Sequence, residues 1–198
     1  TSDGRTEASL SAAAVGATKR SSAAVRQIAK RGSRVDRRLV WLVLVSGLLF
    51  RLVMLGTEPD LSADCWRYVW EGRVQASDIN PYAHAPNDPT LIPLRDEVWA
   101  RVNHPEVPAI YGPLLEALFS ILALLPGGLL PFKLLFLACD GLIAWMVWRA
   151  LKRRGLSPLW ILLYVWHPLP ILEVAGQAHL ELVPVALMLL AVDLALTK

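Results

Sequence analysis

Arg38-Leu-Val-Trp-Leu-Val-Leu-Val-Ser-Gly-Leu-Leu-Phe-Arg-Leu-Val-Met-Leu55 decides the fold class. A helix crossing a hydrocarbon core of about 30 Å needs about 20 apolar residues, and this run supplies them with one interior charge, Arg51. A long cationic side chain near the end of such a helix is expected to snorkel to the interface. The rest of the 198-residue chain agrees with a bilayer environment: 55% of residues are hydrophobic and the mean hydropathy is +0.43, too apolar for a soluble domain. Further apolar blocks run from Tyr111 to Leu125, Leu129 to Arg149, Pro158 to Val174 and Leu180 to Leu196. Lipid leaves no water for an open backbone, so these blocks are expected to be helices. The expected fold is an all-α, polytopic helical bundle.

Charge sets the expected orientation. The net charge is +3, but Arg20, Arg26, Lys30, Arg31, Arg34, Arg37 and Arg38 crowd the approach to the first span. The positive-inside rule keeps that end in the cytoplasm. Residues 1–36 are rich in Ala, Ser, Lys and Arg and lack aromatics, which predicts a disordered basic cytoplasmic tail; a targeting peptide is the other reading. Two crossings are expected between Tyr111 and Arg149; if the Tyr111 segment only re-enters the membrane, Lys152-Arg-Arg154 lies inside instead. Cys65 and Cys139 are placed too differently for a disulfide to be expected.

Between the first two apolar blocks lies a polar segment, residues 56–110, long enough to be functional. Ser62 predicts the start of a helix running to about Ala76, Asn80-Pro-Tyr82 a break, and Pro93 to Val102 a second short helix. Trp66, Tyr68, Trp70, Tyr82 and Trp99 suit short helices lying at headgroup level. On the first of these helices Asp64, Arg67, Tyr68 and Glu71 share a face. Two readings stay open there. Asp64 is a general base or metal ligand, with Arg67 or Arg73 neutralising a phosphate; or Asp64 and Glu71 pair with Arg67 as an interfacial ladder of about 0.2–0.5 kcal/mol per pair.

Ionisable residues inside the apolar blocks are the next signal. Asp140 is central in its span, and Glu173, His179 and Glu181 surround a break at Gly176. An acid at mid-bilayer costs about 2.5–3.5 kcal/mol, so Asp140 is expected to face protein or water, as a structural hydrogen-bond partner or as part of a polar pathway. His179 and Glu181 either cap a helix start or bind substrate. The four histidines, at 84, 104, 167 and 179, lack zinc-ligand spacing, and no nucleic-acid motif or Gly-rich phosphate loop is present.

Ser62-Ala-Asp-Cys-Trp-Arg-Tyr-Val-Trp-Glu-Gly-Arg-Val74, Ile79-Asn-Pro-Tyr82, Val102-Asn-His-Pro-Glu-Val-Pro108 and Ile110-Tyr-Gly-Pro-Leu114 together resemble the first external loop of bacterial multi-pass, mannosyltransferase-like proteins of the GT-C glycosyltransferase superfamily. Lys133-Leu-Leu-Phe-Leu-Ala-Cys-Asp140 is similar to a segment of glycosylphosphatidylinositol mannosyltransferase I, and His167-Pro-Leu-Pro170 and Gly176-Gln-Ala-His-Leu-Glu181 continue the series. The resemblance implies transfer of a hexose, mannose in particular, from a polyprenyl-phosphate donor to a glycan or lipid acceptor on the extracytoplasmic side of a bacterial plasma membrane. It makes Asp64 the catalytic acid of the loop and general base, and Arg67, Glu71, Arg73, His104, Tyr111, His179 and Glu181 the substrate- or phosphate-binding set. Relatives commonly carry two adjacent acids where this chain has Ala63 and Asp64. A divalent ion would therefore have only Asp64, with Asp60 one turn earlier as a partial substitute. Where relatives tend to have Asp after a Gly-x-x-His element, this chain has Glu181. A non-catalytic membrane protein, such as a transporter segment or assembly partner, is the alternative expectation. Five apolar blocks are few for this superfamily, which leads to the expectation of a truncated, inactive or partner-dependent member.

Overall fold

The computed structural model describes residues 37–196, so the tail expected over residues 1–36 lies outside it. Every regular element among the described residues is helical. Helix α1 is Arg37–Leu55, α2 is Asp64–Ala76, α3 is Pro113–Ala123 and α4 is Leu130–Arg153. A tight turn, Pro158–Ile161, leads into the short helix α5, Leu162–Val165; a wide π-type turn, Pro170–Gly176, follows, and α6 is Leu182–Leu196. This is an all-α membrane protein: α1 and α4 are long and apolar enough to cross a membrane.

The remaining apolar blocks are shaped differently from continuous spans. Pro158–Val165 and Pro170–Gly176 are bent by 57° relative to each other, so the run expected to be one helix from Pro158 to Val174 is broken. The cause lies in Trp166-His-Pro-Leu-Pro170, where two prolines remove backbone donors and clash with the preceding turn. Helix α3 has 11 residues, a rise of about 16 Å, which is about half of a hydrocarbon core. The short helix expected from Pro93 to Val102 is instead two tight turns, Pro89–Leu94 and Trp99–Arg101. Each is started by an aspartate that accepts backbone N–H groups. Asp88 takes Thr90 N at 2.8 Å, and Asp96 Oδ1 takes Val98 N at 2.9 Å.

Within the apolar layer, α4 packs on α6 and on both halves of the broken segment, and α1 packs on the π-type turn. Arg51 does not snorkel. It is 4% exposed and turns inward to form an ion pair with Asp140. Its Nη1 also donates to Val165 O at 2.6 Å and Gly47 O at 3.0 Å, and Tyr164 Oη donates to Asp140 Oδ1 at 2.6 Å. A charge that can reach a fully hydrogen-bonded partner inside protein avoids the cost of facing lipid. Just past the C-terminus of α1, Lys133 Nζ donates to Thr57 O at 2.6 Å, satisfying a carbonyl beyond the helix terminus.

Two of the aromatics expected to suit a headgroup layer are packed inside the protein. Tyr68 is 2% exposed because α2 docks on α3 through an aromatic cluster, and Trp70 is 1% exposed because it packs with Leu91 and Val102 of the polar segment. Tyr68 stacks on Phe119 with ring centroids 5.0 Å apart and meets Phe136 edge-on at 6.2 Å. Gly72 makes the approach close enough: a Cβ there would stand 2.3 Å from the Phe119 carbonyl oxygen. The polar segment and α3 thus form one packed layer beyond the C-terminal end of α1.

Candidate functional site

Helix α2 begins at Asp64, with Ala63 at its N-cap position, and the Ser62 hydroxyl accepts the Asp64 amide at 3.2 Å. Asp64 is therefore in the first helical turn, where the helix dipole favours a carboxylate. It is half-buried, and Asn103 Nδ2 donates to its Oδ1 at 2.6 Å.

The rest of the polar face has a different fate. Arg67 and Glu71 are 3% and 2% exposed and pair with each other, with Nη2 to Oε1 at 2.5 Å and Nε to Oε1 at 2.8 Å. The remaining donors of Arg67 reach backbone carbonyls: His104 at 3.1 Å, Val107 at 2.8 Å and Pro108 at 3.1 Å. Every nitrogen of its guanidinium is therefore engaged within the protein. Arg73 pairs with Asp96. The His104 side chain is 73% exposed, with Nδ1 3.6 Å from Glu106. The structure thus brings Arg67 and Glu71 together, but holds Arg67 and Arg73 in protein contacts rather than leaving them open to a phosphate.

Tyr111 is held beside Tyr68. Their rings meet edge-on at 5.3 Å, and burial raises both phenols above their ordinary range, with the negative charge of Asp64 adding to each shift. Glu181 acts on Tyr68 in the same sense. Tyr82 Oη donates to Tyr111 O at 2.6 Å and Ala109 N donates to Pro81 O at 3.0 Å, which joins the Asn-Pro-Tyr element to the Tyr-Gly-Pro element. From the far end of the sequence, Gln177 Oε1 accepts Asp60 N at 3.0 Å and Leu61 N at 2.9 Å while its Nε2 donates to Asp60 Oδ1 at 3.0 Å. Segment 176–181 is thereby docked against the entry to α2. Nearby, His179 Nδ1 lies 3.1 Å from Glu173, and its Nε2 is buried without a partner.

Asp60 and Asp64 do not assemble a metal centre. Among the described residues no group of three or more His, Cys, Asp or Glu could hold an ion, and each aspartate already accepts a side-chain amide. The residues present do not fit a resident divalent ion.

A cleft of about 230 Å³ opens beside the start of α2, lined by Pro59, Asp60, Leu61, Ser62, Ala63, Trp66 and Arg101. Arg101 lies over the Trp66 ring at 4.6 Å and meets Glu58 at 3.1 Å on the exposed side. Sequence reasoning missed Arg101, Asn103 and Gln177, whose positions depend on contacts across the chain. It also missed Glu116, for which a lone acid in the apolar run Pro113–Ala123 was an available signal.

Helices long and apolar enough to span a membrane, joined to a packed aromatic layer in which a carboxylate is oriented by a side-chain amide, define the class: a helical membrane protein. The chain belongs to the MptA/B family, described as alpha-(1->6)-mannopyranosyltransferase, N-terminal domain, which matches residues 5–198. That membership supports a glycosyltransferase activity, and with it a sugar donor and an acceptor. No curated protein and no solved structure matches the chain.

Proposed function

We propose that the protein transfers a hexose, mannose by its family, from a polyprenyl-phosphate donor to a glycan or lipid hydroxyl on the extracytoplasmic side, with Asp64 as general base. The observation that carries this reading is the Asn103–Asp64 hydrogen bond in the first turn of α2, next in sequence to the cleft residues Ser62 and Ala63. A carboxylate fixed in orientation but left half-open suits proton removal. The acceptor hydroxyl loses its proton to Asp64 as its oxygen attacks the anomeric carbon. The bond from that carbon to the lipid phosphate breaks, and the configuration inverts. Because Arg67 is buried in its pair and Arg101 lines the cleft with only the exposed Glu58 as its ion-pair partner, Arg101 is the cation best placed to meet the charge on the leaving phosphate. The basic residues before α1 support a cytoplasmic N-terminus, which puts the α2 layer on the opposite face of a multi-pass protein.

The test uses membranes in which the wild-type chain transfers mannose from polyprenyl-phosphate mannose. Asp64→Asn keeps the shape and loses the base, so transfer is expected to fall by about 10²–10⁴-fold with insertion unchanged. Undiminished transfer by that variant removes Asp64 from the reaction.

A further inference from the structure

Beneath the proposed site, three ionisable side chains are sealed between α2, α3 and the 103–108 loop. Arg67, Glu71 and Glu116 are 3%, 2% and 1% exposed. Glu71 takes both Arg67 contacts through Oε1, which leaves its Oε2 without a donor; both oxygens of Glu116 likewise have none. The two carboxyl groups lie within hydrogen-bonding reach of each other. Two buried carboxylates facing one another beside a single cation would leave a net charge of −1 and three acceptor oxygens with nothing to accept. One proton removes the net charge and two of the three orphan acceptors, leaving a single neutral carbonyl oxygen on Glu116. With Glu116 protonated, its O–H donates to Glu71 Oε2, Glu71 is held at both oxygens, and the triad is neutral.

That locked Glu71 fixes the Arg67 fork, and the fork accounts for the shape of the loop. Arg67 donates to the carbonyls of His104, Val107 and Pro108, and His104 is held at φ +46°, a left-handed conformation that a non-glycine residue adopts only when its surroundings impose it. The same loop carries Asn103, the donor to Asp64. We propose that Glu116 is a positioning residue for Asp64: it shares a proton with Glu71, and the pair clamps Arg67 onto the 103–108 loop that presents Asn103 to the Asp64 carboxylate. This inference rests on the catalytic reading of Asp64 for its consequence, but the clamp itself is independent of it.

Loss of the shared proton returns the buried charge and releases the clamp. The other titratable groups acting on the two carboxyls are Tyr82 and Tyr111, neutral until far into the alkaline range, besides Arg67 itself. Burial and the neighbouring Glu71 both push Glu116 upward, which puts the release alkaline of the ordinary carboxylate range.

The experiment measures hydrogen-exchange protection of residues 102–109 in the membrane-reconstituted protein from pH 5 to pH 9, alongside transfer of mannose. In the wild type, protection falls by about tenfold per pH unit once the proton is lost, and transfer falls with it. Glu116→Gln donates to Glu71 without titrating, so its protection does not vary with pH. Glu116→Leu lacks the donor, and its loop is unprotected throughout. The same alkaline loss of protection in Glu116→Gln as in the wild type, or full protection in Glu116→Leu at neutral pH, overturns the clamp. Transfer that is unaffected while the loop is released overturns the positioning role. Exchange that follows the clamp while Asp64→Asn still transfers overturns the Asp64 reading instead.

Discussion

Gly72 is the position at which one added methyl group should separate the two halves of the site layer. In Gly72→Ala the new Cβ would stand 2.3 Å from the Phe119 carbonyl oxygen, 2.6 Å from the Phe119 carbonyl carbon and 3.0 Å from the Ala123 Cβ. Ordinary non-bonded contact begins near 3.5 Å, so α2 and α3 must part by about 1 Å. The obstructing atoms are backbone, which cannot rotate aside. Overpacking of this kind costs about 1–3 kcal/mol, here toward the upper end, and partial loss of the Tyr68–Phe119 stack adds about 1 kcal/mol. Replacing a mid-helix glycine by alanine returns about 1 kcal/mol. The net expectation is a loss of about 2–3 kcal/mol in a protein whose total stability is about 5–15 kcal/mol. Gly141→Ala on α4 is the control, since its Cβ would meet nothing within 4 Å; that variant should be neutral or slightly stabilised. Equilibrium unfolding of the two variants in the same detergent gives the comparison. If Gly72→Ala is as stable as Gly141→Ala, the close α2–α3 approach is not what holds this layer together.

The Arg51–Asp140 pair should behave as a unit: Arg51→Leu and Asp140→Leu each lose about 3–5 kcal/mol by stranding the partner, whereas the double variant recovers most of that loss. Additive losses in the same unfolding assay would show that the pair is not coupled. Stability should also depend on pH through Glu71 and Glu116, both raised by burial in the folded state. The folded protein then holds a proton that the unfolded chain releases near 4.5. The stabilisation is fully present below that value and is lost as pH rises toward the raised folded value, at about 1.4 kcal/mol per pH unit for one proton. Glu116→Gln should flatten that slope, and an unchanged slope in its unfolding curves would place the proton elsewhere.

The long apolar helices were legible because length and hydropathy alone specify them: α1 and α4 lie close to the blocks read from Arg38 and Leu129. Helix α2 was legible from the serine before it and the spacing of its apolar and polar residues. The break at Trp166–Leu169 was hidden by continuous hydrophobicity, although Pro168 and Pro170 carried the physical reason. The contacts that define the site were not legible, because they join distant parts of the chain. Asp64 and Asn103 are 39 positions apart, Arg51 and Asp140 are 89 apart, and Asp60 and Gln177 are 117 apart. No periodicity in one helix records such pairings.

Arg67 shows how that long-range information changes a local reading. Helical spacing puts it within reach of Asp64 at i−3 and of Glu71 at i+4, and the two choices lead to different sites. Pairing with Asp64 would neutralise the candidate base. Pairing with Glu71 leaves Asp64 to a neutral amide, which orients a carboxylate without cancelling its charge. The loop decides between them: its carbonyls at His104, Val107 and Pro108 draw the guanidinium into the buried seam, where Glu71 is the acid it meets. The polar face of α2 is thereby divided. Its inner part is a closed support, and its first turn keeps an acid oriented by Asn103. Ala63 lines the cleft, and the carboxylate on its wall is Asp60, which accepts the Gln177 amide. Asp64 in the first turn of α2 and Arg101 on the wall of the adjoining cleft match the charges of the proposed reaction, in which a proton leaves the acceptor and negative charge develops on the lipid phosphate.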